Sequence, residues 1–530
     1  MDARTVIESG EAILGIEFGS TRIKAVLIDP EHNPIAQGSH EWENQLVEDL
    51  WTYSLDAIWT GLQDCYTQLR ADVLGRYGVE ITQLAAIGIS AMMHGYMAFD
   101  NADRLLVPFR TWRNTNTGAA AAELSRLFNF NMPLRWSLSH LYQCILDGEP
   151  HVKDVAFFTT LAGYIHWSLT GQKVLGVGDA SGMMPVDAST KDFDNGLIAA
   201  FEKRVAPKGY PWKLREILPK VLLAGQPAGV LTEEGARCLD VSGHLKAGVP
   251  FCPPEGDAGT GMVATNAVRV RTGNVSAGTS SFSMIVLEKE LSKPREVIDI
   301  VTTPDGAPVA MVHCNNCTSD LNAWVQLFKE YQQLLGIPVD MDEVYGKLYR
   351  NALTGDADCG GLVSFNYFSG EPVTGLSEGR PLFVRKATDK FGLANFMRAH
   401  LYASVGVLKI GNDILFNEEK VKVDRITGHG GLFKTPVVGQ RVLAAALGTP
   451  ISVMETAGEG GAWGISLLAS YLVNNPSRLN LADYLEQVVF EGNIGTEIVP
   501  NAEEIIGFNR WMEKYLAYLP AEAAATQIKQ

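Results

Sequence analysis

A mixed α/β protein of two domains is what the chain predicts, on three observations. Its 530 residues exceed what one hydrophobic core usually organises. A small-residue turn, Gly19-Ser20-Thr21, lies between two apolar runs, Ile13 to Phe18 and Ile23 to Asp29, and reads as a β-hairpin. The arrangement returns at mid-chain, where Asn274 to Ala277 meets Gly278-Thr279-Ser280-Ser281 and then Phe282 to Leu287, so two related halves are expected.

The elements between and after these hairpins alternate in type. Leu84 to Ser90 reads as a buried strand, while Ala119 to Leu127 and Phe157 to Leu169 have helical apolar spacing. Further on, Met397, Leu401, Val405 and Leu408 recur at helical spacing, and Ile426 to Gly431 is a short strand running into glycines. Val442 to Leu447 resumes a helix, and the Gly-rich stretch Thr456 to Gly461 leads into a buried helix, Ala462 to Leu472. Ala521 to Gln530 is expected to fray. These readings divide the chain into a first domain over 12–265, a second over 266–475 and a partly helical C-terminal extension over 476–530.

Composition removes several classes of function. With 44 Lys and Arg against 60 Asp and Glu, the net charge of -16 opposes attraction to nucleic acid or anionic lipid. The start, MDARTVIESG, is not a secretory signal, and no apolar run approaches the roughly 20 residues of a membrane span, so a cytoplasmic protein is expected. Seven scattered cysteines fit a reducing compartment. Cys314 and Cys317 form a CxxC, but no second pair completes four zinc ligands.

No GxxxxGK[ST] occurs, so phosphate binding needs another device. Tight Gly turns present backbone N–H groups, and Ser or Thr adds hydroxyl donors, which together form a concave anion site. Taken singly, each hairpin is an ordinary turn; two of them, one in each half, point to a shared anion. Asp257, in Glu255-Gly256-Asp257-Ala258-Gly259, follows the run Val249 to Cys252 and is placed either to cap a helix or to act as a base.

In order and over nearly the whole chain these pieces resemble the FGGY family of carbohydrate kinases. Gly15-Ile16-Glu17-Phe18-Gly19-Ser20-Thr21-Arg22-Ile23-Lys24 matches its first phosphate hairpin, Gly256-Asp257 its catalytic Gly-Asp, and Gly278-Thr279-Ser280 its second phosphate loop. Gly428-His429-Gly430-Gly431-Leu432-Phe433-Lys434-Thr435-Pro436, then Glu455 and Ala462-Trp463-Gly464, match the adenosine side. Met92-Met93-His94-Gly95 resembles the sugar-contacting segment of xylulokinases, with Trp112-Arg113-Asn114 and Asp179-Ala180-Ser181-Gly182 as further likenesses.

The resemblance implies an actin-like ATPase (ribonuclease H-like) fold with an interdomain cleft, and ATP-dependent transfer to a ketopentose, D-xylulose first and a ribulose or other polyol second. It implies Asp257 as catalytic base; Met93, His94, Gly95, Trp112, Asn114 and Asp257 at the sugar; and Gly19, Ser20, Thr21, Lys24, Gly278, Thr279, Ser280, Gly430, Gly431 and Lys434 at ATP. Mg²⁺ would be held by Glu17 through water and by Asp257. Three residues depart from the family pattern: Glu17 replaces the Asp that helps hold magnesium through water, Asn114 replaces an acidic sugar contact, and Ala258 replaces a polar neighbour of the base. With the ordinary carboxyl pKa of about 3.9, Asp257 is expected to take its proton late in transfer. A symmetric homodimer is the default assembly. The competing reading is an assembly ATPase on the same fold, which would hydrolyse ATP without sugar.

Overall fold

The computed structural model describes residues 2–454, 460–492 and 495–528. The first half is built on a five-stranded sheet of β1 (Ile13–Phe18), β2 (Arg22–Ile28), β3 (Pro34–Glu41), β4 (Ala86–Ala91) and β5 (Glu255–Gly256), in the order β5-β4-β1-β2-β3. The β1/β2 and β2/β3 pairs are antiparallel, whereas β1/β4 and β4/β5 are parallel.

The second sheet contains β6 (Thr272–Ala277), β7 (Ser281–Val286), β8 (Asp299–Thr302), β9 (Pro308–Cys314), β10 (Arg425–His429), β11 (Ile451–Val453) and β12 (Thr496–Ile498), in the order β8-β9-β7-β6-β10-β11-β12. Its inner five strands, β9-β7-β6-β10-β11, repeat the first sheet's pattern of two antiparallel and two parallel pairings. Both expected hairpins are present, one per sheet. The repeat is therefore one of topology, the actin-like arrangement with a strand added at each end of the second copy.

Helix α1 (Leu55–Tyr77) covers one face of the first sheet, where Gly38 lets the backbone of Cys65 and Leu69 approach β3. The other face takes α2 (Asp257–Ala264) and α5 (Gly460–Val473). The two faces of β1 and β4 are thus buried, which explains their continuous apolar reading. A Cβ on Gly15 would lie 2.1 Å from the carbonyl of Ala462, so β1 tolerates no side chain there. In the second core, α3 (Leu393–Asp413), α4 (Val438–Leu447) and α6 (Ala502–Thr526) pack together. Among the described residues no helix is long and apolar enough to cross a membrane.

Two local expectations are corrected. Phe157 to Leu169 divides into a strand, Phe157–Thr159, and a helix, Leu161–Thr170, because the Thr160 hydroxyl accepts the Gly163 N–H and caps the helix there. The C-terminal segment does not fray at Ala521: α6 runs to Thr526 through Pro520, anchored by buried Glu522, which accepts the Arg380 N–H at 2.7 Å. Glu455 and most of the Gly-rich stretch before Gly460 lie outside the described residues.

Candidate active site

Strands β1, β4 and β5 run parallel and end level with one another: Phe18 pairs with Ala91, and Ala91 with Gly256. The residues that follow each strand therefore emerge at one edge, the usual position of sites in parallel sheets. They are Gly19-Ser20-Thr21 after β1, Met92-Met93-His94-Gly95 after β4, and Asp257 after β5. Met92 N–H donates to the Phe18 carbonyl at 2.9 Å and joins the first two loops.

Asp257 is the first residue of α2, and its Oδ1 accepts the Met93 N–H at 3.2 Å. Burial pushes its carboxyl up to about 6, against the pull of the Met93 and Ala258 amides. The ordinary Asp value expected from sequence is thus corrected, and Asp257 is a better base than expected. Ala258 contributes its backbone N–H instead of a polar side chain.

Buried His94 has a left-handed backbone, φ 68°, and its Nδ1 lies 3.0 Å from the Gly182 carbonyl. A carbonyl can only accept, so Nδ1 carries the hydrogen and Nε2 is left as an acceptor. Burial, reinforced by the Arg135 cation, holds this imidazole neutral, well below its usual range. Gly95 also has positive φ, and a Cβ there would meet the Arg110 carbonyl at 2.7 Å.

Two further acids, Asp179 and Glu255, were not among the expected site residues. Asp179 is fully buried; Oδ2 accepts the Thr160 hydroxyl at 2.6 Å, whereas Oδ1 has no partner among the described residues and lies 3.2 Å from where a Cβ on Gly256 would stand. Burial, then the charge of Asp257, pushes it up to about 7. Buried Glu255 accepts the N–H groups of Gly178 and Asp179 at 3.3 and 2.9 Å, and burial beside Asp179 raises it to about 8. A signal was available: both acids stand in quoted motifs, and an acid inside an apolar strand end needs partners.

Glu17 lies beside the N-terminus of α5, where the amides of Gly461 and Ala462 face its carboxylate. Burial, then repulsion from Asp257, raises it to about 7, and Lys24, its cross-strand partner, opposes the shift. Two partly buried acids that repel one another at one sheet edge are a donor set that a divalent cation would relieve.

The expected sugar residues Trp112 and Asn114 are placed differently from Met93 and His94. Trp112 Nε1 donates to the Ser20 hydroxyl at 3.0 Å and so joins the first turn. Both N–H bonds of the Asn114 amide run to backbone carbonyls, Trp51 at 2.8 Å and Thr111 at 3.0 Å, and Oδ1 accepts the Trp51 N–H at 2.8 Å. The sugar contact implied for Asn114 has no donor left, because the amide clamps the Trp51 backbone instead.

In the second sheet, Gly278, Thr279 and Ser280 form the turn between β6 and β7. Gly430, at φ 97°, sits where a Cβ would lie 2.6 Å from the Ala277 carbonyl, which brings the loop after β10 against this turn. Gly431 is exposed, and Lys434 is exposed at the end of the short helix Gly431–Phe433. Cys314 and Cys317 are free, buried thiols, and burial raises both, Cys317 to about 12. They act as core residues whose main chain supports the turn: Cys317 N–H donates to the Thr279 carbonyl at 2.9 Å.

The comparisons with known proteins agree with this architecture. Residues 12–264 match the N-terminal domain, and 273–473 the C-terminal domain, of the FGGY family of carbohydrate kinases. The chain is 22% identical to the xylulose kinase of Lactococcus lactis over 95% of its own length and 96% of that protein's. It is also 22% identical to the xylulose kinase of Escherichia coli, where the match spans 54% of this chain and only 56% of the relative. A gluconate kinase from Lactobacillus acidophilus superposes with a TM-score of 0.79 at 18% identity, over 97% of this chain and 98% of that one. With both family domains matched in order over most of its length, the chain belongs to the FGGY family of carbohydrate kinases.

Proposed function

We propose that the protein transfers the γ-phosphate of ATP to a hydroxyl of a ketopentose, D-xylulose to xylulose 5-phosphate as the first choice and a ribulose or related polyol as the second. The hydrogen bond from Met93 N–H to Asp257 Oδ1 carries this reading, because it ties the candidate base to the segment that resembles a ketose contact. The xylulose kinase relatives support the same class of sugar.

In this reading Met93 and His94 Nε2 orient the acceptor sugar, with Gly95 permitting the turn. Asp257, raised to about 6, is largely ionised at neutral pH and accepts the hydroxyl proton as the oxygen bonds to phosphorus. The amides of the two Gly turns and Lys24 lie on the phosphate side, and Gly430, Gly431 and Lys434 on the adenosine side. Glu17, through water, and Asp257 would hold Mg²⁺, which supplies neutralisation of phosphate charge. The free thiols support a reducing, cytoplasmic setting.

The test is ADP release with Mg-ATP across D-xylulose, L-xylulose, D-ribulose, L-ribulose, glycerol and gluconate. A strong response to one ketopentose is expected. Hydrolysis independent of every sugar would instead favour the assembly ATPase.

A further inference from the structure

Every main-chain acceptor of the first turn is already taken. The Gly19 carbonyl accepts Trp42 Nε1–H at 2.8 Å, and the Ser20 carbonyl accepts the Tyr53 hydroxyl at 2.5 Å. Thr21 O accepts the Trp42 N–H at 3.1 Å, and Arg22 O the Gly19 N–H at 2.9 Å. The Ser20 side-chain oxygen accepts Trp112 Nε1–H at 3.0 Å, which leaves its own hydrogen free to donate. Among the described residues, no hydrogen bond engages the N–H of Ser20 or Thr21. The turn therefore offers donors and withholds acceptors. A carbonyl facing a phosphate oxygen would repel it, whereas convergent N–H and O–H groups attract it.

The donors that achieve this pack together in the first core. Buried Trp42 and Tyr53 stack at 4.1 Å and 25°, with Phe18 and Phe109 against them. The Asn114 clamp holds Trp51, two residues before Tyr53. Burial raises the Tyr53 phenol to about 12, so it keeps its proton and remains a donor throughout the working range.

We propose that Trp42, Tyr53 and Trp112 are positioning residues that make Gly19-Ser20-Thr21 a donor-only cradle for the terminal phosphate of the nucleotide. The inference rests on the kinase reading above. It adds roles that neither the motifs nor the family match assigns, since all three residues lie outside the matched hairpin.

The test is calorimetric binding of Mg-AMP-PNP and of AMP to wild type and to Tyr53→Phe, which keeps the ring stack and removes only the hydroxyl. Mg-AMP-PNP is expected to bind about tenfold more weakly, the effect of leaving one carbonyl unsatisfied, with AMP affinity unchanged. Trp112→Phe, which removes only the donor to Ser20, is expected to act in the same direction. Unchanged affinity for both nucleotides in both variants would overturn the proposal. So would equal weakening for both nucleotides, which marks a general structural loss. Wild-type protein that binds neither nucleotide would overturn the kinase reading and this inference together, whereas normal wild-type binding with unaffected variants removes this inference alone.

Discussion

The two Gly turns stand at equivalent places in the two sheets, yet their carbonyls are satisfied by different means. In the first turn the donors to Gly19 O and Ser20 O are side chains, Trp42 and Tyr53, drawn from separate segments of the first core. The second turn uses main chain: Thr318 N–H and hydroxyl donate to Gly278 O at 3.0 and 2.7 Å, Cys317 N–H to Thr279 O, and Gly278 N–H to Ser280 O at 2.9 Å. Both arrangements leave these carbonyls already occupied. The first depends on side-chain chemistry that one substitution removes; in the second each carbonyl keeps an amide donor under most substitutions.

Substitutions can break or sharpen that contrast. The largest effect is expected where neither turn is touched: Asp257→Ala should keep ATP affinity and lower turnover by at least about a thousandfold, within the range general base catalysis supplies. Near-normal turnover would refute the base. A pH profile of kcat/KM follows in size. Because burial raises Asp257 to about 6, the base is protonated and activity lost as pH falls through that value, with about a tenfold loss at pH 5. A profile flat to pH 5 would exclude Asp257 as the titrating group.

The turns themselves should then respond unequally. Thr318→Val removes the hydroxyl donor to Gly278 O but leaves the amide donor in place, so Mg-AMP-PNP affinity should weaken by about threefold or less, below the effect of Tyr53→Phe. A loss larger than that of Tyr53→Phe would reverse the contrast. Smallest of all is Cys317→Ala, which keeps the amide on Thr279 O and should leave nucleotide affinity within about twofold. Its cost should appear as about 1 kcal/mol of stability in denaturant melts, from lost packing of a buried thiol.

Much of the fold was legible because periodicity and turn chemistry are local. Both hairpins, the strand ending at Ala91, the helix over Gly118–Phe128 and α5 appear close to where their patterns lie. The break at Thr160 and the persistence of α6 past Pro520 were not legible. Each depends on a hydrogen bond, Thr160 to Gly163 or Glu522 to Arg380, that apolar spacing does not encode.

For the site, the sequence by itself determined the residue types and their order: Gly-rich turns, a Gly-Asp, and a Met-His-Gly. Local composition and spacing are enough to specify these. Only the tertiary structure decided how they meet. The level ends of three parallel strands bring Gly19, Met92 and Asp257 to one edge, and burial among neighbouring acids moves Asp257, Asp179, Glu255 and Glu17 away from ordinary carboxyl behaviour. Asn114 and Trp112 likewise acquired backbone and turn partners from segments distant in the chain. Desolvation and hydrogen-bond pairing are sums over such long-range neighbours, so no window of sequence contains them.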